Sequence, residues 1–216
     1  MGERTTYDIT DIPLFKDIGE AIVGPLRHSC LWRKVQEGEF IVRLGEKDRY
    51  VLFLVKGSAH KKRVLQCGTQ VGLGRVDEGS FFGEEFDGNE VMYDVVATSD
   101  SVVMAMPNET FDLAVGYSTI LARVGEKLIN EVRSLYRKLD LLAIWPKEQR
   151  IEAEIRSLSV GGVVEMPPHE QLAAEVMCSR ETIARTISQL VRTGRMFLLS
   201  TFPRKGYPGK SYKLSR

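Results

Sequence analysis

The sequence predicts an α+β chain built from an N-terminal antiparallel β-roll, a long helix and a C-terminal winged helix-turn-helix. Three observations predict it. Short β-rich runs alternate with glycines between Cys30 and Pro107, leucines recur every seven residues after Thr110, and two short helical segments near the end precede two further β-rich runs. A chain of 216 residues, 43% hydrophobic and 27% charged, is large enough for one or two packed cores.

The glycines that divide the first region are Gly38, Gly45, Gly57, Gly68, Gly79, Gly83 and Gly88. Between them, Phe40 to Val42 and Tyr50 to Val55 carry the β-branched and aromatic residues of strands, and such spacing fits an antiparallel roll or barrel. Val95 to Thr98 and Ser101 to Met106 flank Ser99-Asp100, a tight connection, and Pro107-Asn108 closes the β region. One or two short helices are expected within Ile12 to Leu31. The first domain is assigned residues 1–108.

Residues 109–145 are assigned to one long helix. Leu121, Leu128, Leu135 and Leu142 form one row, and Gly125, Val132 and Leu139 follow at offset four, which makes a heptad seam of about three repeats. The flanks carry Arg123, Glu126, Lys127, Glu131, Arg133, Arg137 and Lys138, so a single apolar stripe is left to find a partner. A stripe this narrow fits a second copy across a two-fold axis, which predicts a parallel homodimer with Leu121, Leu128, Val132, Leu135, Leu139 and Leu142 in its interface. The β domain of the same chain is the competing partner. Trp145-Pro146 ends the helix, because a residue before proline is pushed out of the α region.

A last domain covers residues 146–216. Lys147 to Ser157 reads as a helix, Gly161-Gly162 as a turn and Val163 to Met166 as a short strand. Pro168 to Val176 then reads as a short helix with Leu172, Ala173 and Val176 on one face, and Met177-Cys178 as the turn. Ser179 is placed to cap a second helix whose buried stripe is Ile183, Ile187, Leu190 and Val191. Arg180, Glu181, Thr182 and Arg185 are left on the outer face near its N-terminus, where a recognition helix enters a major groove. Arginine there can pair with guanine O6 and N7, and glutamate can accept from cytosine N4. Met196 to Leu199 and Ser211 to Leu214 read as strands of a wing whose basic tip holds Arg204, Lys205 and Lys210, placed for phosphates.

Net charge is +1, but it is unevenly spread. Residues 1–145 hold 18 basic and 22 acidic side chains, residues 146–216 hold 12 and 7, and from Val176 onward nine basic residues face the single acid Glu181. A basic end on a mildly acidic body is the footprint of double-stranded DNA binding. Apolar runs such as Leu52 to Val55 are far below the roughly 20 residues that span a bilayer, and Met1 to Arg4 opens no secretory segment. Cys30, Cys67 and Cys178 are too scattered for a disulfide framework or a zinc knuckle, so a cytoplasmic protein is expected. Phosphate-binding, hydrolase, metalloprotease and calcium-loop motifs are missing, and Glu84 and Glu85, as neighbours on a strand, would point to opposite faces; an enzyme is not expected.

The order of β-roll, long helix and winged helix-turn-helix resembles the Crp/Fnr superfamily of bacterial transcription regulators, over nearly the whole chain. The most specific match is Cys178-Ser179-Arg180-Glu181-Thr182-Ile183-Ala184-Arg185, which is similar to the R-E-T-x-x-R recognition helix of the cyclic AMP receptor branch, a reader of TGTGA-type half-sites. The resemblance implies a cyclic-nucleotide-binding-like first domain, guanine contacts from Arg180 and Arg185, a cytosine contact from Glu181, phosphate contacts from Ser179 and Thr182, and RNA polymerase as a further partner. Pro168, His169 and Glu170 depart from the family at the entry of the first helix.

Gly79-Ser80-Phe81-Phe82-Gly83-Glu84 resembles the start of the family's nucleotide-phosphate cassette, but Val91, Met92 and Tyr93 stand at the places of its Arg-Ser-Ala triplet. A cyclic phosphate there loses a charge-assisted hydrogen bond, and Leu135-Tyr136 replaces the adenine-contacting Thr-Ser pair, so cyclic AMP is disfavoured. An iron-sulfur cluster of the usual four thiolates is likewise disfavoured with three cysteines. By family geometry the effector pocket lies near Glu84, Phe86, Met92, Tyr93 and Tyr136, which suits a small organic or gaseous effector of unknown identity. Heme remains open, with His28, His60, Cys67, Met92 and Met104 as candidate axial ligands, although Met92 and Met104 also read as ordinary core residues and the histidines as surface or packing groups. A heme-based gas or redox sensor of the same superfamily, or a ligand-binding scaffold that does not touch DNA, are the alternatives.

Overall fold

The computed structural model describes residues 7–47, 49–66, 70–83, 90–144, 146–204 and 207–215. The chain divides into two compact units, one made of Met1–Arg63 with Leu73–Arg133 and the other of Val64–Gly72 with Ser134–Arg216.

The first unit opens with a 3-10 turn at Ile9–Asp11 and helix α1 (Glu20–Ser29). Eight strands follow: β1 (Leu31–Val35), β2 (Phe40–Val42), β3 (Tyr50–Lys56), β4 (Ala59–Val64), β5 (Gln70–Val76), β6 (Phe81–Phe82), β7 (Asp94–Ala97) and β8 (Ser101–Pro107). They form two four-stranded sheets, in the orders β1-β8-β3-β6 and β2-β7-β4-β5. The tight connection at Ser99-Asp100 is present, yet it joins strands of different sheets, since β7 pairs with β2 and β4 while β8 pairs with β1 and β3. Gly57 turns the chain before β4 with φ +99°, and an added Cβ there would stand 2.3 Å from Ser101 Oγ.

Strand β3 is buried on both faces, which explains why it reads as an unbroken apolar run. Val51 and Phe53 point into one cluster with Phe15, Phe81, Met104, Met106 and Phe111. Leu52 and Leu54 point into the other, with Val42, Phe82, Val95 and Val103. Strand alternation accounts for the division, as it does for the neighbours Phe81 and Phe82. Phe53 is the hub of an aromatic group, with ring centroids 5.5 Å from Phe15, 5.8 Å from Phe81 and 6.0 Å from Phe111.

The helical stretch expected as one helix is two, α2 (Asn108–Val115) and α3 (Ser118–Ile144). The break falls at Gly116, a poor helix former, after α2 has buried Phe111 and Ala114 in the first cluster.

The second unit contains α4 (Lys147–Ser157), β9 (Val163–Met166), α5 (His169–Glu175), α6 (Arg180–Arg192), β10 (Met196–Arg204) and β11 (Tyr207–Leu214). Its three-stranded sheet runs β10-β11-β9 and covers a core of Ile151, Ile155, Leu172, Val176, Ile183, Ile187, Leu190 and Met196. The wing strands are longer than the sequence suggested. Arg204 is already opposite Tyr207, so Pro203 and Pro208 to Lys210 belong to the ladder rather than to a loop. Gly209 makes this possible: a Cβ there would come within 2.3 Å of the ring of its cross-strand partner Phe202.

Phe53→Ala is expected to cost about 3–5 kcal/mol, because Phe53 is fully buried and three other rings lean on it. Urea unfolding followed by tryptophan fluorescence measures this, and a midpoint within error of wild type would refute the packing described.

Candidate functional site

The candidate nucleic-acid interface is built by the turn between α5 and α6. Met177 takes φ +49°, and the amide of Cys178 donates back to Ala173 O at 3.0 Å, so the chain reverses within a few residues. Ser179, with extended backbone, then starts α6: its Oγ accepts from the amide of Thr182 at 3.3 Å and lies 3.0 Å from Thr182 Oγ1. This satisfies one of the amides that a helix start leaves unpaired.

The buried stripe of α6 is Ile183, Thr186, Ile187 and Leu190. Val191, expected in that stripe, is 40% exposed. At 100° per residue it lies to one side of the line through 183, 187 and 190, and Thr186 fills the place instead. Arg180, Glu181 and Arg185 are exposed and Thr182 is half-buried, so the structure brings the predicted reading set together at one end of one helix. The Glu181 carboxyl is held below its usual range by its own backbone amide and by the Ser179 hydroxyl, and it is therefore ionised as an acceptor.

The field around this helix is positive. His169, at the start of α5, is driven below its ordinary value first by burial and then by the charges of Arg180 and Lys210. One acid from the first strand of the wing sheet, Glu165, stands opposite Ser211 in β11. Arg204 is the last residue of β10, with its side chain outside the described residues, as is Lys205.

Helix α3 is pinned along one side within the first unit. Ile120 and Val124 are buried in the helix-facing cluster. Arg123 donates to the carbonyls of Pro13, Leu14 and Lys16 at 3.2, 3.0 and 2.6 Å. Lys127 lies over the ring of Phe81 and donates to that residue's carbonyl. A different side carries Leu121, Leu128, Val132, Leu135 and Leu139, all exposed, with Leu142 partly so. Ile129 adds to this open face, and a Cβ on Gly125 would meet open space. Farther along, Lys138 bonds Glu175 and the carbonyl of Gly72. Burial and then the neighbouring Glu175 push the Glu154 carboxyl up, against the pull of Lys138.

Of the residues assigned to an effector pocket, three are described. Tyr93 is buried in the cluster between the sheets, whereas Met92 is 50% and Tyr136 64% exposed; Glu84 and Phe86 lie outside the described residues, as does the Glu84-Glu85 pair. Met92 is thus not a core residue, because Val91 and Tyr93 on either side take the inward positions. Sequence reasoning missed Lys61. This β4 residue is 8% exposed, donates to Glu131 of α3 at 2.8 Å, and holds its ammonium 4.7 Å from the centre of the Tyr93 ring. The run His60-Lys61-Lys62 looks like a solvated edge; the signal against that was the run of flanking strands, which puts β4 inside its sheet.

Val91, which the resemblance puts at the place of a phosphate-binding arginine, is buried with its backbone paired with Gly45 and Glu46, and the buried ammonium of Lys61 holds Glu131. For heme, His28 is exposed on α1 with Nδ1 2.8 Å from Gly24 O, His60 is buried on β4, Met104 is buried in the helix-facing cluster and Cys67 lies outside the described residues. Burial pushes the thiols of Cys178 and Cys30 up, the latter to about 11. Among the described residues no group of three His, Cys, Asp or Glu side chains could hold a metal ion, and no helix is long and apolar enough to cross a membrane.

Ser179→Ala is expected to destabilise the second unit by about 1 kcal/mol with little change elsewhere. Thermal unfolding checks it, and an unchanged midpoint would mean the cap contributes nothing.

Comparison with known proteins agrees with this architecture. Residues 32–115 match the cyclic nucleotide-binding domain family. The transcriptional regulator SdrP of Thermus thermophilus is 29% identical over 159 residues, covering 69% of this chain and 75% of that protein. Among solved structures, the c-di-GMP-responsive global regulator CLP of Xanthomonas campestris superposes with TM-score 0.74 at 18% identity, covering 91% of this chain and 99% of that one. A Crp/Fnr-family transcriptional regulator of Thermus thermophilus gives 0.68 at 24% identity over 86% and 94%. At these identities the structural likeness concerns the fold. The matched domain covers the strands of the first unit, and the fold of the whole chain is that of these regulators.

Proposed function

We propose that the chain is a transcription regulator, not an enzyme, that binds double-stranded DNA as a homodimer in the cytoplasm under the control of a small effector sensed in its first domain. The functional division is that of residues 1–108 as sensor, 109–145 as dimerisation segment and 146–216 as DNA-binding domain. The observation that carries the reading is α6, which buries Ile183, Thr186, Ile187 and Leu190 and leaves Arg180, Glu181 and Arg185 in solvent at its N-terminal end. A helix that only packed would not need two arginines and an ionised glutamate there. SdrP is a transcriptional regulator and CLP a regulator responsive to c-di-GMP, which supports the class while leaving this chain's effector open. RNA polymerase is the further partner that such a regulator would meet.

In this reading Arg180 and Arg185 reach guanine O6 and N7, and Glu181 accepts from cytosine N4. Ser179, whose oxygen caps the helix, and Thr182 contact phosphates. Arg204, Lys205 and Lys210 hold the backbone without reading it. The open face of α3 meets its own copy across a two-fold axis, which presents two α6 helices to half-sites about one helical turn apart.

Binding-site selection from random DNA should recover a palindrome with TGTGA-like half-sites. Arg180→Ala should relax the preference at one base pair and cost about 1–3 kcal/mol per half-site, and an unchanged preference would show that α6 does not read sequence. For the dimer, Leu128 is 45% exposed in the single chain. Leu128→Lys would set two ammonium groups against each other at a cost of several kcal/mol, and sedimentation should then show monomers. An intact dimer in that variant would remove this seam from the interface.

A further inference from the structure

The sensor domain contains a buried charge that neither the recognition helix nor the dimer seam uses. Lys61 belongs to β4, whose order β2-β7-β4-β5 places it inside its sheet. Its backbone is held in register opposite Val95, a fully buried residue of β7, so the side chain cannot leave the interior without breaking the ladder. An ammonium with this little exposure is costly unless an anion neutralises it.

The anion comes from the same chain. Glu131 on α3 brings Oε1 to 2.8 Å from Lys61 Nζ, and the face of the buried Tyr93 ring lies 4.7 Å from the same nitrogen. Glu131 is half-buried, with its carboxylate reaching inward from the helix surface, while Lys61 is the fixed member. Lys127, one turn earlier on α3, bonds the carbonyl of Phe81, so two successive turns of the helix are fastened to the sheets by polar groups of opposite sign. One turn later stands Leu135, in the seam. Val91 and Met92, which the resemblance puts at the places of a ligand's phosphate partners, are apolar, and the ammonium of Lys61 is already paired.

We propose that Lys61 is the anion-receiving group of the sensor domain and that Glu131 of the same chain is the anion it holds, tying β4 to α3 so that the protein binds DNA before any small molecule is added, the effector of the regulator reading acting on a chain that is already competent. The tie itself rests on geometry within the first unit, and its consequence for DNA rests on the regulator reading above. Glu131 thus does internally what a bound effector's anionic group would do: it gives the sheet a charged contact with the helix that carries the dimer seam.

The test compares full-length wild type, Lys61→Met and Glu131→Gln after dialysis, with native mass spectrometry to establish that nothing small is bound. Two readouts are taken: hydrogen exchange of amides 124–135 without DNA, and affinity for the DNA site selected by wild type. Exchange in 180–192 serves as the control that each variant is folded. Wild type should bind DNA as purified; both variants should exchange at least tenfold faster over 124–135, keep wild-type exchange over 180–192 and bind DNA at least tenfold more weakly. Wild-type exchange over 124–135 in folded Glu131→Gln would overturn the tie. Wild-type DNA binding that appears only on adding cyclic AMP or c-di-GMP would overturn its claimed consequence. Faster exchange in the variants together with no DNA site recovered for wild type under any condition would overturn the regulator reading and the DNA half of the proposal, leaving the tie standing.

Discussion

Everything proposed for this chain depends on a helix with two unlike faces. One side of α3 is fastened within its own chain by Ile120, Val124, Arg123 and Lys127. Another side leaves Leu121, Leu128, Val132, Leu135 and Leu139 in water. The first side removes the freedom of the helix to roll and hide those leucines against the β domain. Exposed apolar area of this extent, in a heptad row, is unfavourable in an isolated chain, and a second copy offers the same row in return. The dimer in this account is therefore a consequence of how α3 is held, and the paired recognition helices follow from the dimer.

Polar groups are used differently in the two units. In the second, they stand at the surface: Ser179 spends its oxygen on the helix start, and burial, with the field of Arg180 and Lys210 added to it, disfavours a proton on His169. That field is what a phosphate backbone would neutralise. In the first unit, the notable charge is inside, as the Lys61–Glu131 pair beside Tyr93. A buried pair of this kind adds little net stability, but losing one partner is costly. Such a contact is suited to fixing one arrangement of sheet and helix rather than to strengthening the fold.

Much of the architecture was legible in the sequence because local chemistry decided it. Pro146 starts α4 at Lys147, and Gly161 and Gly162, with φ +61° and +79°, make the turn that sets β9 at Val163–Met166. Ser179 marks the start of α6 for the same reason. What stayed hidden depended on contacts between distant residues. The length of the wing strands rests on Gly209 yielding room to Phe202, which a reading of Pro203 to Lys210 as loop-forming residues cannot reveal. Met92 and Val191 are apolar, yet Val91 and Tyr93 take the buried places beside the first, and Thr186 and Leu190 take those of the helix stripe in place of the second. Lys61, between His60 and Lys62, carries no local signal of burial: strand order puts it inside a sheet, and its partner is 70 residues away. The exposed reading set Arg180, Glu181 and Arg185 was legible because the 3.6-residue period assigns the opposite face to the core.

The central claim is that the open face of α3 lies against the same face of a second copy. Oxidative cross-linking of single-cysteine variants, made after replacing Cys30, Cys67 and Cys178 by serine, tests it most directly. Across a two-fold axis a seam residue faces its own copy, so Leu128→Cys should form a disulfide-linked dimer of twice the chain mass, while Asn130→Cys, two residues farther round the helix, should remain largely monomeric on a denaturing gel. Equal cross-linking at both positions, or none at Leu128→Cys in a protein that sediments as a dimer, would contradict the account.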